Sequence, residues 1–342
     1  VMTAWRTYAD PPQSDPELGR ADRRTRARAL RDDVGFAQAL DEGATGFVVW
    51  MCADALDAVK GPVGGVLDAV HVDDSLPGPW EMDLLDLARR ARSARAVEAL
   101  AEGYQQGVAA VAAEPLHAAR AEARRRSRRL AEQVSPAALQ SAQTAARRFL
   151  APGSVVRRDR AEVAWGTEVG PAPDLGSEMA QYRESLPEAD ARLLAQYRVV
   201  DAIAGADGHL LVVLGRGDDG DDVVLLEASP ALASSREPLF GAWRGGSDVQ
   251  RVLLAREAVP LVPAEYAGWS TSPDGSIARV WSRMRAATAR PDLGGPRVSA
   301  RRMGAALGLL HAASGDAASL AGYIGHSRRF PAALRAAVAA HT

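Results

Sequence analysis

Between residues 68 and 83 the chain gathers Asp68, Asp73, Asp74, Glu81 and Asp83, with His71 among them. Carboxylates at that density supply the hard oxygen ligands that a divalent ion such as Mg²⁺ requires. The same residue types also do plainer work. Asp73 to Ser75 can shape the turn before Pro77-Gly78-Pro79, and Asp83 falls where a helix would begin, so its charge suits the helix dipole. His71 reads as a strand histidine whose ring titrates near neutrality, or as an ordinary hydrogen-bonded one. The plainer account is preferred for both, and no metal or cofactor is assigned.

Three other groupings invite chemistry and do not sustain it. Gly217-Asp-Asp-Gly-Asp-Asp222 looks like a calcium loop but lacks the downstream bidentate glutamate, so it reads as a hairpin tip. His311, Ser314 and Asp316 hold the residue types of a hydrolytic triad. They are bunched in one local stretch without a nucleophile elbow, and helix-end capping accounts for them. The arginine runs over residues 20–31 and 120–129 have no interleaved aromatics. They read as solvated helix faces, or as a contact for an acidic protein, rather than a nucleic-acid footprint.

The bulk numbers agree. The chain has 342 residues, 47% of them hydrophobic, enough for a sizeable core. Its formal net charge of -2 argues against a surface devoted to polyanions. Cys52 is the single cysteine, so no internal disulfide or thiolate cage can form. No apolar run reaches the roughly 18 residues that span a bilayer, and the first residues lack a secretory apolar core. The expectation is a cytoplasmic protein that makes no membrane contact.

The elements that must position these residues follow from periodicity. Residues 1–19, with Pro11, Pro12 and Pro16, read as an extended arm. Residues 20–177 read as helix-rich. Within them lie a buried helix at 47–58, a Gly/Pro turn at 60–65, a strand at 66–72, and helices from Trp80 onward with breaks near Gly103, Pro115 and Pro136. Residues 178–297 hold a helix at 185–197 and strands at 197–203, 209–214, 223–228 and 277–284, with Gln250 to Ala258 a strand or short helix. Residues 298–342 read as C-terminal helices. The fold class is α+β.

Three segments carry a family resemblance. They are residues 67–88 with Leu-Pro-Gly-Pro-Trp-Glu at 76–81; Tyr182-Arg-Glu-Ser-Leu, Tyr197-Arg-Val-Val-Asp201 and Glu227-Ala-Ser-Pro230; and residues 307–316 with Ala321-Gly-Tyr-Ile-Gly325. Together they resemble the bacterial family called domain of unknown function 2252, over about residues 45–341. That family is similar to the aminoglycoside phosphotransferase and protein-kinase group. It implies a two-lobed kinase-like fold with its lobes permuted: catalytic loop first, nucleotide-binding lysine later.

Against that pattern the catalytic residues are missing. No Gly-Asp-x-His-x-x-Asn lies between Cys52 and Asp68, so the catalytic loop reads as deleted. Counting back from Asp83, the metal-ligand aspartate falls on His71, a poor ligand for Mg²⁺. The Gly-rich loop after Asp201 is short, and Leu226 stands where a lysine should precede Glu227. The retained residues, among them Asp68, Asp73, Trp80 and Asp83, form scaffold. The resemblance therefore implies a degenerate kinase-like protein serving as a partner, regulatory or structural subunit, bound to another protein or to itself. The alternative is an enzyme that has rebuilt the cleft for a small molecule. Asp68, His71, Asp73, Asp74, Asp83, Leu226 and Glu227 are the cleft candidates.

Overall fold

The computed structural model describes residues 25, 35–42, 45–53, 56–61, 64–69, 72–91, 93–132, 169–171, 175–205, 208–216, 223–262, 264–284, 287–288 and 296–340. The expected arm at 1–19, the arginine run at 20–31 but for Thr25, the break near Pro136, His71 and the Asp-rich loop at 217–222 lie outside them.

The fold is mixed α+β. In chain order come α1 (Phe36–Glu42), β1 (Val48–Trp50), β2 (Leu56–Gly61), β3 (Gly64–Ala69), a 3-10 turn (Val72–Asp74) and β4 (Pro77–Pro79). Then follow α2 (Trp80–Arg89), α3 (Ala94–Ala112), α4 (Leu116–Glu132), β5 (Val169–Pro171), α5 (Gly176–Glu184) and α6 (Glu188–Leu194). The strand-rich stretch holds β6 (Arg198–Gly205), β7 (Leu210–Gly215), β8 (Val223–Pro230), α7 (Glu237–Phe240), α8 (Asp248–Ala258), β9 (Gly268–Thr271), β10 (Ala278–Arg283) and β11 (Ala287–Thr288). The chain closes on α9 (Pro296–Ser314), α10 (Ala317–Ile324) and α11 (Arg329–Ala340). Among the described residues no helix is long and apolar enough to cross a membrane.

The first core is helical and rests on α3 against α9. Ser93 caps α3 by accepting from the Ala96 amide at 3.2 Å, which satisfies one of the orphan donors at a helix start. Val97, Leu100, Ala101, Tyr104, Val108 and Val111 then recur at helical spacing and are buried. Gly103 is no break, because it lies inside this helix. A methyl group on it would sit 1.9 Å from the Arg301 carbonyl oxygen, and one on Gly304 would sit 2.0 Å from that of Leu100. Gly107 and Gly308 repeat the arrangement one turn on. Small residues four apart on both helices thus let the backbones touch. Trp80, fully buried at the start of α2, stacks on Tyr104 at 5.7 Å and meets the Tyr323 and Phe330 rings.

The second core lies on one face of a six-stranded antiparallel sheet of order β5-β6-β7-β8-β10-β9. Leu210, Val212 and Leu214 of β7 and Leu226 and Ala228 of β8 point into it, where Tyr182 of α5 stacks on Trp281 at 5.0 Å. Two smaller sheets, β1-β4 and β11-β2-β3, flank the first core.

The apolar stretch at 47–58 departs from expectation: it forms β1 and β2 rather than a helix. Its helical spacing reflects burial from more than one side, and β1 instead pairs with the Pro-Gly-Pro strand, Val48 opposite Pro79 and Trp50 opposite Pro77. The helix expected at 185–197 is present but shorter, as α6: Pro187 sits at its N-cap, and α5 ends just before it, with Ser185 at its C-cap. The hairpin expected about 217–222 is present as the β7–β8 pairing, and where only a turn was expected at 60–65 the chain forms a second antiparallel pair, β2–β3.

Candidate functional site

Asp83 is the anchor of the acidic region, and it faces inward. It lies in the first turn of α2, fully buried. One carboxylate oxygen accepts from the Cys52 amide at 2.7 Å, and both accept from the Ala53 amide at 3.1 and 3.0 Å. The His311 Nε2 of α9 lies 2.9 Å away, and the Arg236 guanidinium 3.7 Å away. Burial alone would push this carboxyl up. The His311 hydrogen bond and charge, then Arg236 and the Cys52 amide, outweigh it and hold the group below the ordinary carboxylate value. His311 is fully buried, and its Nδ1 meets the Tyr104 hydroxyl at 2.8 Å.

Cys52, Asp83 and His311 place a sulfur, an oxygen and a nitrogen within 4.8 Å of one another, the donor types that zinc takes. The Asp83 carboxylate and the His311 ring are already engaged. Asp83 accepts two amides and His311, and His311 uses both ring nitrogens, on Asp83 and on Tyr104. Neither nitrogen is left to take a proton from the thiol, so the trio is not a nucleophile and base. It is a clamp that ties α2, the segment after β1, and α9.

Asp73 and Glu227 meet around a different arginine. β8 alternates, so Leu226 enters the second core with no exposed surface while Glu227 and Ser229 face the 3-10 turn. Arg256 of α8 grips Asp73 bidentately, with Nε and Nη2 each at 2.8 Å. It also donates to Ser229 Oγ at 2.6 Å and Ser282 Oγ at 2.9 Å, and Ser229 donates to Asp73. Burial would lower the Arg256 pKa, but Asp73, with help from Glu227, reverses the direction and raises it. One turn earlier, fully buried Arg251 donates to the carbonyls of Asp73 at 2.7 Å, Ser75 at 2.8 Å and Leu232 at 2.5 Å.

Asp74 is more exposed. It accepts from the Ser235 amide and hydroxyl at 2.7 and 2.6 Å, and Arg236 lies 4.0 Å off. Asp68 is a β3 position paired with Asp57 of β2. Two arginines therefore sort most of the candidate acids: Arg256 holds Asp73 with Glu227 nearby, and Arg236 lies between Asp83 and Asp74, while Asp68 stands apart on β3.

Glu81, next to this region, is buried against Thr45. Thr45 Oγ1 donates to it and in turn accepts from the Trp80 indole N–H at 3.0 Å. Burial lifts its carboxyl to about 8, well above the ordinary value, so the group is mostly neutral at pH 7.

Arg236, Arg251, Arg256, Tyr104 and His311's link to Asp83 were not foreseen in the sequence. The one local signal was Ser247-Asp-Val-Gln250, a capping box that starts α8 and fixes where its two arginines point. The grouping of His311, Ser314 and Asp316 does not form. Ser314 bonds the Leu310 carbonyl, and Asp316 caps the start of α10.

A family model described as an uncharacterized protein conserved in bacteria (DUF2252) matches residues 44–341. No curated protein and no solved structure matches the chain.

Proposed function

We propose a non-catalytic role for this chain, which belongs to the bacterial family DUF2252: a kinase-like protein, lobes permuted, that serves as a partner or regulatory subunit and transfers no phosphate. The observation that carries this reading is the arginine closure of the acidic region. Phosphoryl transfer needs carboxylates free to hold Mg²⁺ and a cation free to hold the phosphates. Here Asp73 is taken bidentately by Arg256, Asp74 by Ser235, and Asp83 by two amides and His311. Leu226, where the phosphate-binding lysine would stand, is sealed in the second core. A lost charge-assisted phosphate contact costs about 1.5–3 kcal/mol, so several losses together put nucleotide affinity beyond the millimolar range.

Calorimetry with ATP tests it. No heat component should depend on Mg²⁺ when the titration is run with the metal and again with EDTA, and no phosphate should pass to added protein or small-molecule acceptors. A micromolar Mg²⁺-dependent constant overturns the reading.

A further inference from the structure

On α3, Tyr104 turns into the core and Gln105 turns the other way, toward a groove of about 720 Å³ between α3, α4, α9 and the start of α11. That volume is in the range of small-molecule sites. Arg126, Arg301, His326 and Arg328 line it, and the one carboxylate among the described lining residues, Glu102, is ion-paired with Arg301.

Local acids do not balance the arginines. Glu122 is shared between Arg125 and Arg126. Among the described lining residues three guanidinium groups, Arg126, Arg301 and Arg328, stand against one carboxylate, Glu102. Arg126, in the lining, donates its Nε to Glu122 at 2.6 Å. α11 opens at Arg329 with no acidic residue in its first turn, so its own chain adds no counter-charge there.

The rim is held in place. Gln105 is nine-tenths buried and donates through Nε2 to the Gly325 and Ser327 carbonyls, both at 3.1 Å. This ties the backbone that carries His326 and Arg328 to α3, so less of that segment has to be ordered when a ligand arrives. Planar guanidinium forks match the paired oxygens of phosphates and carboxylates.

We propose that this groove binds a small, multiply charged oxyanion, a phosphate ester or a polycarboxylate. The site stands apart from the acidic region and needs no divalent ion, so its fate is independent of the ATP experiment.

The test is calorimetry on the full chain, dialysed free of metal ions and run without chelator at low salt, with pyrophosphate and citrate as separate probes. Saturable binding in the sub-millimolar range is expected for at least one, and which one distinguishes a phosphate from a carboxylate ligand. Arg328 is exposed, so Arg328→Glu should keep the fold and weaken binding by tenfold or more. Arg192→Glu, on the exposed ion pair with Glu188, should bind as the parent does. Absence of saturable binding for both probes, or equal binding by Arg328→Glu, overturns the proposal.

Discussion

At the scale of single residues, burial has been used to set charge. Glu81 and Asp83 are two positions apart on α2 and both fully buried, yet their carboxyls move in opposite directions. Asp83 faces two amides, His311 and Arg236. Glu81 has Thr45, and its Oε2 has no partner among the described atoms. In the unfolded chain Glu81 ionises near 4.5; in the folded protein it does so near 8. A raised acid pKa means the folded state binds the extra proton. Its contribution to stability is full below about pH 4.5 and is lost as pH rises toward 8. The loss is on the order of 5 kcal/mol at most. Melting of the parent should therefore fall between pH 5 and pH 8, and Glu81→Gln should flatten that slope. A parallel slope in the variant would refute the assignment.

At the scale of elements, the α3–α9 contact makes a prediction of unusual sign. Glycine to alanine inside a helix ordinarily stabilises by up to about 1 kcal/mol. At Gly107 and Gly304 the added methyl would lie 2.3 and 2.0 Å from carbonyl oxygens of the facing helix. Each substitution should instead cost about 2 kcal/mol or more, measured by denaturant midpoint. Gly35→Ala, with nothing within 4 Å, should leave the midpoint in place. Elements with one unambiguous period were legible in the sequence. Such are β7, β8, β10 and α9, where a strand or helix meets its core from a single direction or runs long. The stretch at 47–58 was not, because short strands covered on several sides carry no alternation. α8 was ambiguous until its capping box is noticed. The acidic site was legible as a list of acids and illegible as a geometry. Asp83 and His311 are separated by 228 positions and Asp73 and Arg256 by 183, and no spacing rule reaches that far.

At the scale of the whole molecule, buried arginine joins the two cores. Arg251 binds the carbonyls of Asp73 and Ser75 on one side and of Leu232 on the other. Removing it leaves three carbonyls short of a donor; that of Ser75 is buried, at about 1–3 kcal/mol if it stays unsatisfied, while water can reach those of Asp73 and Leu232. The parent should unfold in one calorimetric transition. Arg251→Ala should lower it and split it into two, as the sheet and the helical core lose their tie; a single transition at the parent's temperature would show that the cores couple by other means. The α3–α9 pairing also has a consequence in time. Gly107 and Gly304 leave the ribosome about two hundred residues apart, which at roughly 5–20 residues per second is on the order of 10–40 s. For that interval the flat, glycine-notched face of α3 has no mate, and its apolar neighbours stand open to the cytosol. Nascent chains halted before α9 should be held by chaperones, while those that extend through it should be released.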